Sequence, residues 1–161
     1  MQHEKSLSDS ERSIFYSSWI YPAVHLFLGL SKEGVTLEEI CERFSISRQR
    51  ASDLAHFFLR TGLANEERGK YFPGVQSTFL EQGSPHLIKH HSNWRVKAIE
   101  KSESISAEEL MFTAPLSISR RDFSSVREKI AQFIKSLSEI VKASEAEDIA
   151  TINIDWFWVK K

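Results

Sequence analysis

The chain has little cysteine, proline or glycine: one cysteine, Cys41, four prolines and six glycines among 161 residues. A single cysteine excludes an intramolecular disulfide framework and a zinc site built from several cysteines, and it indicates a reducing environment. The sequence also lacks a run of about 18 apolar residues, which a transmembrane helix requires. The N-terminal stretch MQHEKSLSDSERS is polar where a signal peptide has an apolar core, so we expect a cytoplasmic protein with no membrane partner.

Neither sign of charge dominates the chain. The 21 Lys and Arg residues are balanced by 22 Asp and Glu residues, which gives a formal net charge of -1. No global field therefore draws the protein onto nucleic acid, and any nucleic-acid site has to be local. The composition, 41% hydrophobic and 27% charged, is that of a globular protein with a core. At this length we expect one ordinary domain or two small lobes.

Motifs for catalysis are absent from the sequence as well. It contains no G-x-G-x-x-G, no phosphate-binding loop and no G-x-S-x-G, and spacing singles out no pair of carboxylates. Asp122, beside two arginines, is explained as an acid favoured at a helix start, and Cys41 lies on a buried helical stripe. We expect no catalytic residue and no cofactor, and therefore a protein that is not an enzyme.

Residues 8–74 predict a winged helix. A first helix begins at the Ser8-x-x-Glu11 capping box and continues to Leu30; Pro22 kinks or restarts it, and we expect one long, bent helix. The capping box Thr36-x-x-Glu39 then opens a short amphipathic helix, Ser47 caps a second one, and Gly62 stops it. Two short strands follow around the tip Glu67-Arg68-Gly69. The order helix, helix-turn-helix and two-stranded wing is that of a winged-helix domain.

Residues 75–161 predict a smaller α+β lobe. A helix is expected over 84–100, and alternating apolar residues predict strands over 109–119 and 149–159. Between them, the capping box Ser125-x-x-Glu128 opens the most strongly amphipathic helix of the chain. We expect the two strands to pair and this helix to cover them, so the fold class is α+β: a winged helix-turn-helix domain followed by a strand-helix-strand lobe.

Several short motifs occur in a characteristic order. They are Trp19, Ser47-Arg48-Gln49-Arg50-Ala51, Gly69-Lys70-Tyr71, His91-x-x-Trp94-Arg95-x-x-Ala98, Arg121-Asp122-Phe123-Ser124 and Ile152-Asn153-Ile154-Asp155-Trp156-Phe157. Together they resemble the bacterial domain of unknown function 4423 family, over nearly the whole chain. The resemblance implies a winged helix with an α+β extension and a role in transcriptional regulation. Relatives usually carry a further N-terminal helical region and end in Phe-Pro-Leu-Thr, where this chain has Phe157-Trp158-Val159-Lys160.

DNA contact by the second helix of the helix-turn-helix is the leading functional hypothesis. Arg and Gln near the start of a recognition helix pair with guanine and adenine edges in the major groove, and a wing touches the DNA backbone. The predicted DNA-binding residues are Ser47, Arg48, Gln49, Arg50, Ser52, His56 and Arg60 on the helix and Arg68 and Lys70 on the wing. Residues 34–74 hold six basic and six acidic residues, so one copy should bind weakly and dimerisation should be needed. The alternative is that these residues form the solvated face of an amphipathic helix.

A protein-interaction module is the second hypothesis. Phe57 falls among polar positions of the recognition helix, and Trp156, Phe157 and Trp158 crowd one terminal strand. An exposed aromatic strand at a sheet edge invites pairing with another chain, which favours a homodimer or a protein partner through the C-terminal lobe. The alternative is that the tryptophans fill the core.

Three histidines, His86, His90 and His91, raise the question of a metal site. Histidines at i and i+4 on a helix can share zinc. No cysteine or acidic ligand is placed nearby, and Lys89 would repel a cation. We therefore expect no metal, and a basic helix face that includes Lys89, Arg95, Lys97 and Lys101.

Overall fold

The computed structural model describes residues 6–76, 78, 80 and 82–160. The fold is α+β: the described residues form six α-helices and one two-stranded antiparallel sheet. The chain divides into two compact units. The first runs up to Glu100 and includes Ala146–Thr151, and the second comprises Lys101–Glu145 and the residues from Ile152 onward.

The first unit opens with two short helices, α1 (Asp9–Phe15) and α2 (Ile20–Leu28). The predicted capping box is confirmed: the backbone N–H of Ser8 donates to Glu11 at 2.8 Å, and that of Glu11 donates back to the Ser8 hydroxyl at 3.3 Å. The single bent helix expected up to Leu30 is wrong, since the chain stops at Phe15 and starts again. Pro22 lies in the first turn of α2. Backbone N–H groups in the first turn have no acceptor within the helix, so the N–H that proline lacks costs no helical hydrogen bond.

The next elements are α3 (Leu37–Phe44), α4 (Arg48–Thr61), and the hairpin strands β1 (Ala64–Glu67) and β2 (Lys70–Pro73). An isolated antiparallel bridge joins Val35, just before α3, to Tyr71 of β2. The last helix of this unit, α5 (Pro85–Lys101), is tied to the start of the chain because the Asn93 side chain donates to the Tyr16 carbonyl at 2.8 Å. The sequence had assigned this helix to the C-terminal lobe. The largest fully buried side chains of the first unit are Phe15, Val24, Leu28, Ile40, Leu54, Phe58 and Leu63.

The second unit is built on one long helix, α6 (Arg120–Ala143), preceded by a 3-10 turn at Ser102–Ser104. The predicted capping box Ser125-x-x-Glu128 is wrong, because Ser119 caps the helix instead and accepts the Asp122 N–H at 3.0 Å. Ser125 lies inside the helix, where its hydroxyl donates to the Arg121 carbonyl. Either serine has the right chemistry for an N-cap, so the residue type alone did not place the helix start.

The two strands predicted for the second lobe are not formed, since no strand lies within residues 102–160. Alternation shows which side chains share a face, but a strand also needs a neighbouring strand to receive its backbone hydrogen bonds. Pro115 lies in the middle of the first predicted strand and lacks a donor, a signal against that assignment. In place of a sheet, Trp156 and Trp158 stack on Phe123 at the start of α6, with ring centroids 4.7 and 4.1 Å from it.

Candidate nucleic-acid interface

The candidate interface is assembled by α3, α4 and the turn between them. At the start of α3, the Thr36 N–H donates to the Glu39 carboxylate at 2.7 Å, which lowers the pKa of that carboxyl. The turn contains Ser45 in the left-handed conformation, with φ of 50°, and it lets the chain reverse within three residues. The Ser47 hydroxyl then caps α4 by accepting the Arg50 N–H at 3.1 Å. Local hydrogen bonds thus set where both helices begin.

One face of α4 is buried and the opposite face is polar. Ala51, Leu54 and Phe58 pack into the core, which turns the residues between them outward. The exposed side chains are Arg48, Gln49, Asp53, His56 and Arg60, with Arg50 and Ser52 partly exposed beside them. The outward placement predicted for Arg48, Gln49, His56 and Arg60 is therefore observed.

Phe57 is a correction to the sequence analysis. The sequence placed it among polar positions of α4, available to a protein partner, but only 5% of its surface is exposed. Its ring meets Tyr21 of α2 edge-on, with centroids 5.3 Å apart. Because α2 covers a second side of α4, the buried apolar residues of α4 extend beyond the side that carries Ala51, Leu54 and Phe58.

Two arginines of the predicted DNA-binding set contact other parts of the chain. Arg48 forms an ion pair with Glu38 of α3, and the hydrogen bond from Arg48 lowers the pKa of the Glu38 carboxyl. The guanidinium of Arg50 lies over the Tyr21 ring, 5.3 Å from its centroid. Both arginines are held close to the protein surface by these contacts, which periodicity does not reveal.

The outer face of α4 also carries an internal hydrogen bond. The Gln49 side-chain amide donates to the Asp53 carboxylate at 2.9 Å, one helical turn away. Asp53 places a negative charge in the middle of this face. Bound in this way, Gln49 retains its amide oxygen for a further hydrogen bond.

The hairpin that follows α4 carries a basic residue at its tip. Glu67 and Lys70 are paired across the strands, so Arg68 and Gly69 form a two-residue loop. Both have positive φ, 52° and 78°, as a type I′ turn requires. Arg68, at the tip, is exposed, and Lys70 is partly exposed. Glu66 and Glu67 add negative charge to the same hairpin.

The hairpin is anchored to the chain segment before α3. Val35 and Tyr71 exchange two backbone hydrogen bonds of 2.9 and 2.8 Å. Next to them, a Cβ atom on Gly34 would lie only 2.5 Å from the Phe72 ring, and the Gly34 φ of 82° suits glycine. This contact fixes the hairpin relative to the start of α3.

The histidines of α5 do not share one face. His86 is buried, and its Nε2 lies 2.8 Å from the Asp9 carboxylate of α1. His90 contacts the Tyr16 ring edge-on, and its pKa is lowered by burial and by the neighbouring His91. Lys97 lies over the Trp19 ring, with its ammonium 4.1 Å from the centroid. The expectation that all three histidines join a basic surface is therefore wrong for His86, which links α5 to α1.

A cavity of about 270 Å³ lies between the first two helices and α5. It is mainly apolar, and burial lowers the pKa of His25, whose Nε2 is 3.1 Å from the Leu63 carbonyl. The lining residues are Phe15, Tyr16, Pro22, His25, Leu26, Thr78, Leu80, Leu87 and His90. Its volume is below the roughly 300 to 1,000 Å³ of typical ligand pockets, and we assign it no ligand.

The described part of the chain has neither a metal-ligand cluster nor a membrane-spanning helix. No group of three or more His, Cys, Asp or Glu residues there is arranged to hold a metal ion. None of the helices in residues 6–76, 78, 80 and 82–160 is long and apolar enough to span a membrane.

Comparison with known proteins gives one match. A family model described as a domain of unknown function (DUF4423) matches residues 1–159. No curated protein and no solved structure matches the sequence.

Proposed function

The chain belongs to the DUF4423 family, and from that premise we propose that its first unit is a winged-helix DNA-binding module of a transcriptional regulator. The observation that carries this proposal is the outward polar face of α4 beside a hairpin with Arg68 at its tip. The isolated bridge between Val35 and Tyr71, which ties the hairpin to the segment before α3, supports the proposal. A helix with such a face fits the major groove, and the hairpin then meets the DNA backbone.

The proposed contacts fall into two groups. Gln49, Ser52, His56 and Arg60 follow one another along α4 and offer hydrogen bonds to base edges. The hydroxyl and backbone of Ser47 at the helix start, and Arg68 and Lys70 on the hairpin, serve phosphates and set the register on the duplex.

Arg48 and Arg50 are proposed to switch partners on DNA. An exposed ion pair is weak because water and salt screen both charges, so a phosphate can replace Glu38 as the partner of Arg48. The guanidinium of Arg50 lies over the Tyr21 ring, a weak contact that a phosphate can also replace. These two arginines supply affinity only when they leave their contacts within the chain.

The charge balance makes this a weak and salt-sensitive site in one copy. Residues 45–74 carry five basic side chains, Arg48, Arg50, Arg60, Arg68 and Lys70, and three acidic ones, Asp53, Glu66 and Glu67. Few phosphates can be neutralised by such a surface, and affinity rises with the number neutralised. We propose that two copies act together on two half-sites.

A protein-interaction module without DNA binding is the second candidate. It is favoured by Asp53 at the centre of the α4 face and by Glu66 and Glu67 on the hairpin, because all three would face phosphates. In that case Arg48 keeps its ion pair with Glu38, and the polar face of α4 meets a protein.

The test is fluorescence anisotropy with a labelled duplex of random sequence at low salt. We expect binding that weakens as salt is raised, and Arg68→Ala should reduce the slope of log affinity against log salt by about one. Arg60→Ala should also weaken binding. Lys135→Ala, in α6 of the second unit, removes the same charge and should leave binding unchanged. No binding at low salt, or equal losses in the control, would overturn the proposal in favour of the second candidate.

We also propose that the protein acts in the cytoplasm and without catalysis. Its single cysteine, Cys41, contacts the core of the first unit and suits a reducing compartment. A regulator of this kind needs no cofactor, and activity screens with purified protein would contradict the proposal if they found turnover.

A further inference from the structure

Four exposed side chains form a single line along α4, which we call the outer ridge. They are Gln49, Asp53, His56 and Arg60, separated by four, three and four residues. This spacing places them above one another on the side of the helix that faces away from the core. A helix in the major groove presents its most exposed line to the base edges, so these side chains would decide which bases are accepted.

The hydrogen-bonding chemistry of the outer ridge changes along the helix. Gln49 and Asp53, near the start of α4, carry oxygen acceptors, whereas Arg60 in the last turn carries only donors. Asp53 is the one acidic residue of α4. Phosphates repel a carboxylate, so Asp53 lowers the attraction of this helix for every duplex alike. Affinity for the DNA backbone therefore does not explain an acid at this position.

The Asp53 carboxylate is oriented by its neighbour on the ridge. The Gln49 side-chain amide donates to it at 2.9 Å. This bond uses one carboxylate oxygen, and the second one can accept a further hydrogen bond. Arg48 and Arg50 are the arginines nearest to Asp53 along the helix, and they contact α3 and α2 instead. The charge of Asp53 is therefore presented outward in a fixed position.

A carboxylate in the major groove discriminates among the four bases. Guanine shows two acceptors there and thymine shows one acceptor and a methyl group, so either base leaves the carboxylate unpaired and repelled. Adenine has a donor, its N6 amino group, but the N7 acceptor lies beside it. Cytosine shows only its N4 amino donor, and it is the base with which Asp and Glu side chains pair.

We propose that Asp53 is a specificity-determining residue, whose carboxylate accepts a hydrogen bond from the N4 amino group of a cytosine in each half-site. Gln49 is its positioning residue, since it holds the carboxylate through the bond between their side chains. The proposal rests on the proposed function, because it requires α4 to lie in the major groove. Asp53 then lowers the affinity for DNA in general and raises the preference for one sequence.

The first test is selection of bound duplexes, at low salt, from a library with a randomised centre, followed by sequencing. The wild-type chain should enrich cytosine at one position of each half-site. Asp53→Asn should enrich adenine at that position, because an asparagine amide can donate to N7 and accept from N6. Asn has nearly the same shape as Asp and the site is exposed, so circular dichroism should show an unchanged fold.

Glu67→Gln is the matched control for the lost charge. Glu67 is an exposed carboxylate of the hairpin and does not belong to the outer ridge. Its replacement should raise the affinity for all sequences alike, since one repelling charge is removed. The enriched bases should stay those of the wild-type chain.

The second test is fluorescence anisotropy with the selected duplex and with a duplex in which guanine replaces that cytosine. The wild-type chain should bind the second duplex roughly five- to tenfold more weakly, and this ratio should change little with salt because a base contact neutralises no phosphate. Asp53→Ala should bring the ratio close to one while tightening binding to random sequences. Gln49→Ala should reduce the ratio without abolishing it. A role of the two side chains in helix stability alone would leave the ratio unchanged.

The possible results separate this proposal from the proposed function. Binding at low salt with the same enriched bases for the wild-type chain and Asp53→Asn would overturn the role of Asp53 and leave the DNA-binding module standing. A change of the enriched bases by Glu67→Gln, or a wild-type chain without a preferred base, would also overturn it. Absence of binding at low salt would overturn both proposals.

Discussion

Arg48 donates a hydrogen bond to the carboxylate of Glu38, and this ion pair joins the first residue of α4 to the first turn of α3. Both side chains are largely exposed, so the contact lies on the surface. A carboxylate in this position occupies the arginine that would otherwise meet a phosphate. The pair is therefore a direct competitor of the proposed DNA contact.

Replacing Glu38 with Gln should strengthen DNA binding. The change removes the charge that holds Arg48, and the freed guanidinium should add about one phosphate contact, so affinity at low salt should rise roughly two- to fivefold. The salt slope should steepen by about one. Glu42→Gln is the matched control, since Glu42 is also an exposed carboxylate of α3. An equal gain from Glu42→Gln would show that net charge, and not the release of Arg48, is responsible.

Gly34→Ala should destabilise the first unit. The new Cβ would lie 2.5 Å from the Phe72 ring at a backbone φ of 82°, so both the contact and the conformation are strained. We expect a loss of about 1 to 3 kcal/mol in the free energy of unfolding, measured by urea denaturation. Gly29→Ala is the control, because its φ is -83° and the nearest atom to its Cβ is 3.4 Å away. Equal effects of the two changes would contradict the role given to Gly34.

Asp9 and His86 should be energetically coupled. His86 is only 8% exposed and its Nε2 is 2.8 Å from the Asp9 carboxylate, so removing Asp9 leaves the buried imidazole without this contact. A double-mutant cycle with Asp9→Ala and His86→Ala should give a coupling of about 1 kcal/mol. The control cycle combines Asp9→Ala with His91→Ala, a change at an exposed histidine of α5, and should give a coupling near zero. Similar coupling energies in both cycles would refute a specific link between α1 and α5.

Stability of the first unit should fall in mild acid. Burial lowers the pKa of His25 and of His90, so the folded state disfavours their charged forms and the unfolded chain takes up protons first. The contribution of these two neutral histidines to the free energy of unfolding is complete above the ordinary histidine pKa of about 6.5. It is lost as the pH falls below that value toward the lowered pKa values. Urea midpoints across this range should show the fall. His25→Gln should reduce it, whereas His56→Gln, an exposed change on α4, should not.

Local sequence signals predicted the helix-turn-helix well because they act over a few residues. Thr36 with Glu39, Ser47 and Gly62 are side chains or conformations that satisfy backbone groups next to them, and the structure has each in its predicted role. The polar face of α4 was equally predictable, since the helical period alone separates Leu54 and Phe58 from Gln49 and His56.

The contacts of the candidate site could not be predicted in the same way. The pairing of Arg48 with Glu38, the stacking of Arg50 on Tyr21 and the burial of Phe57 all depend on how helices pack together. His86 illustrates the same limit, because its partner Asp9 is 77 residues away and has an ordinary position in the first turn of α1.

What the sequence determined by itself is therefore the helices α3, α4 and α5, most of the helix caps in the first unit, the hairpin and its turn, and the apolar stripe of α6. These features arise from side chains a few residues apart, whose chemistry and period are visible in the chain. Only the tertiary structure decided which charged residues point away from the protein, and that the alternating segments around α6 form no sheet. Such outcomes depend on whether a distant group is present to bury a side chain or to accept a backbone hydrogen bond.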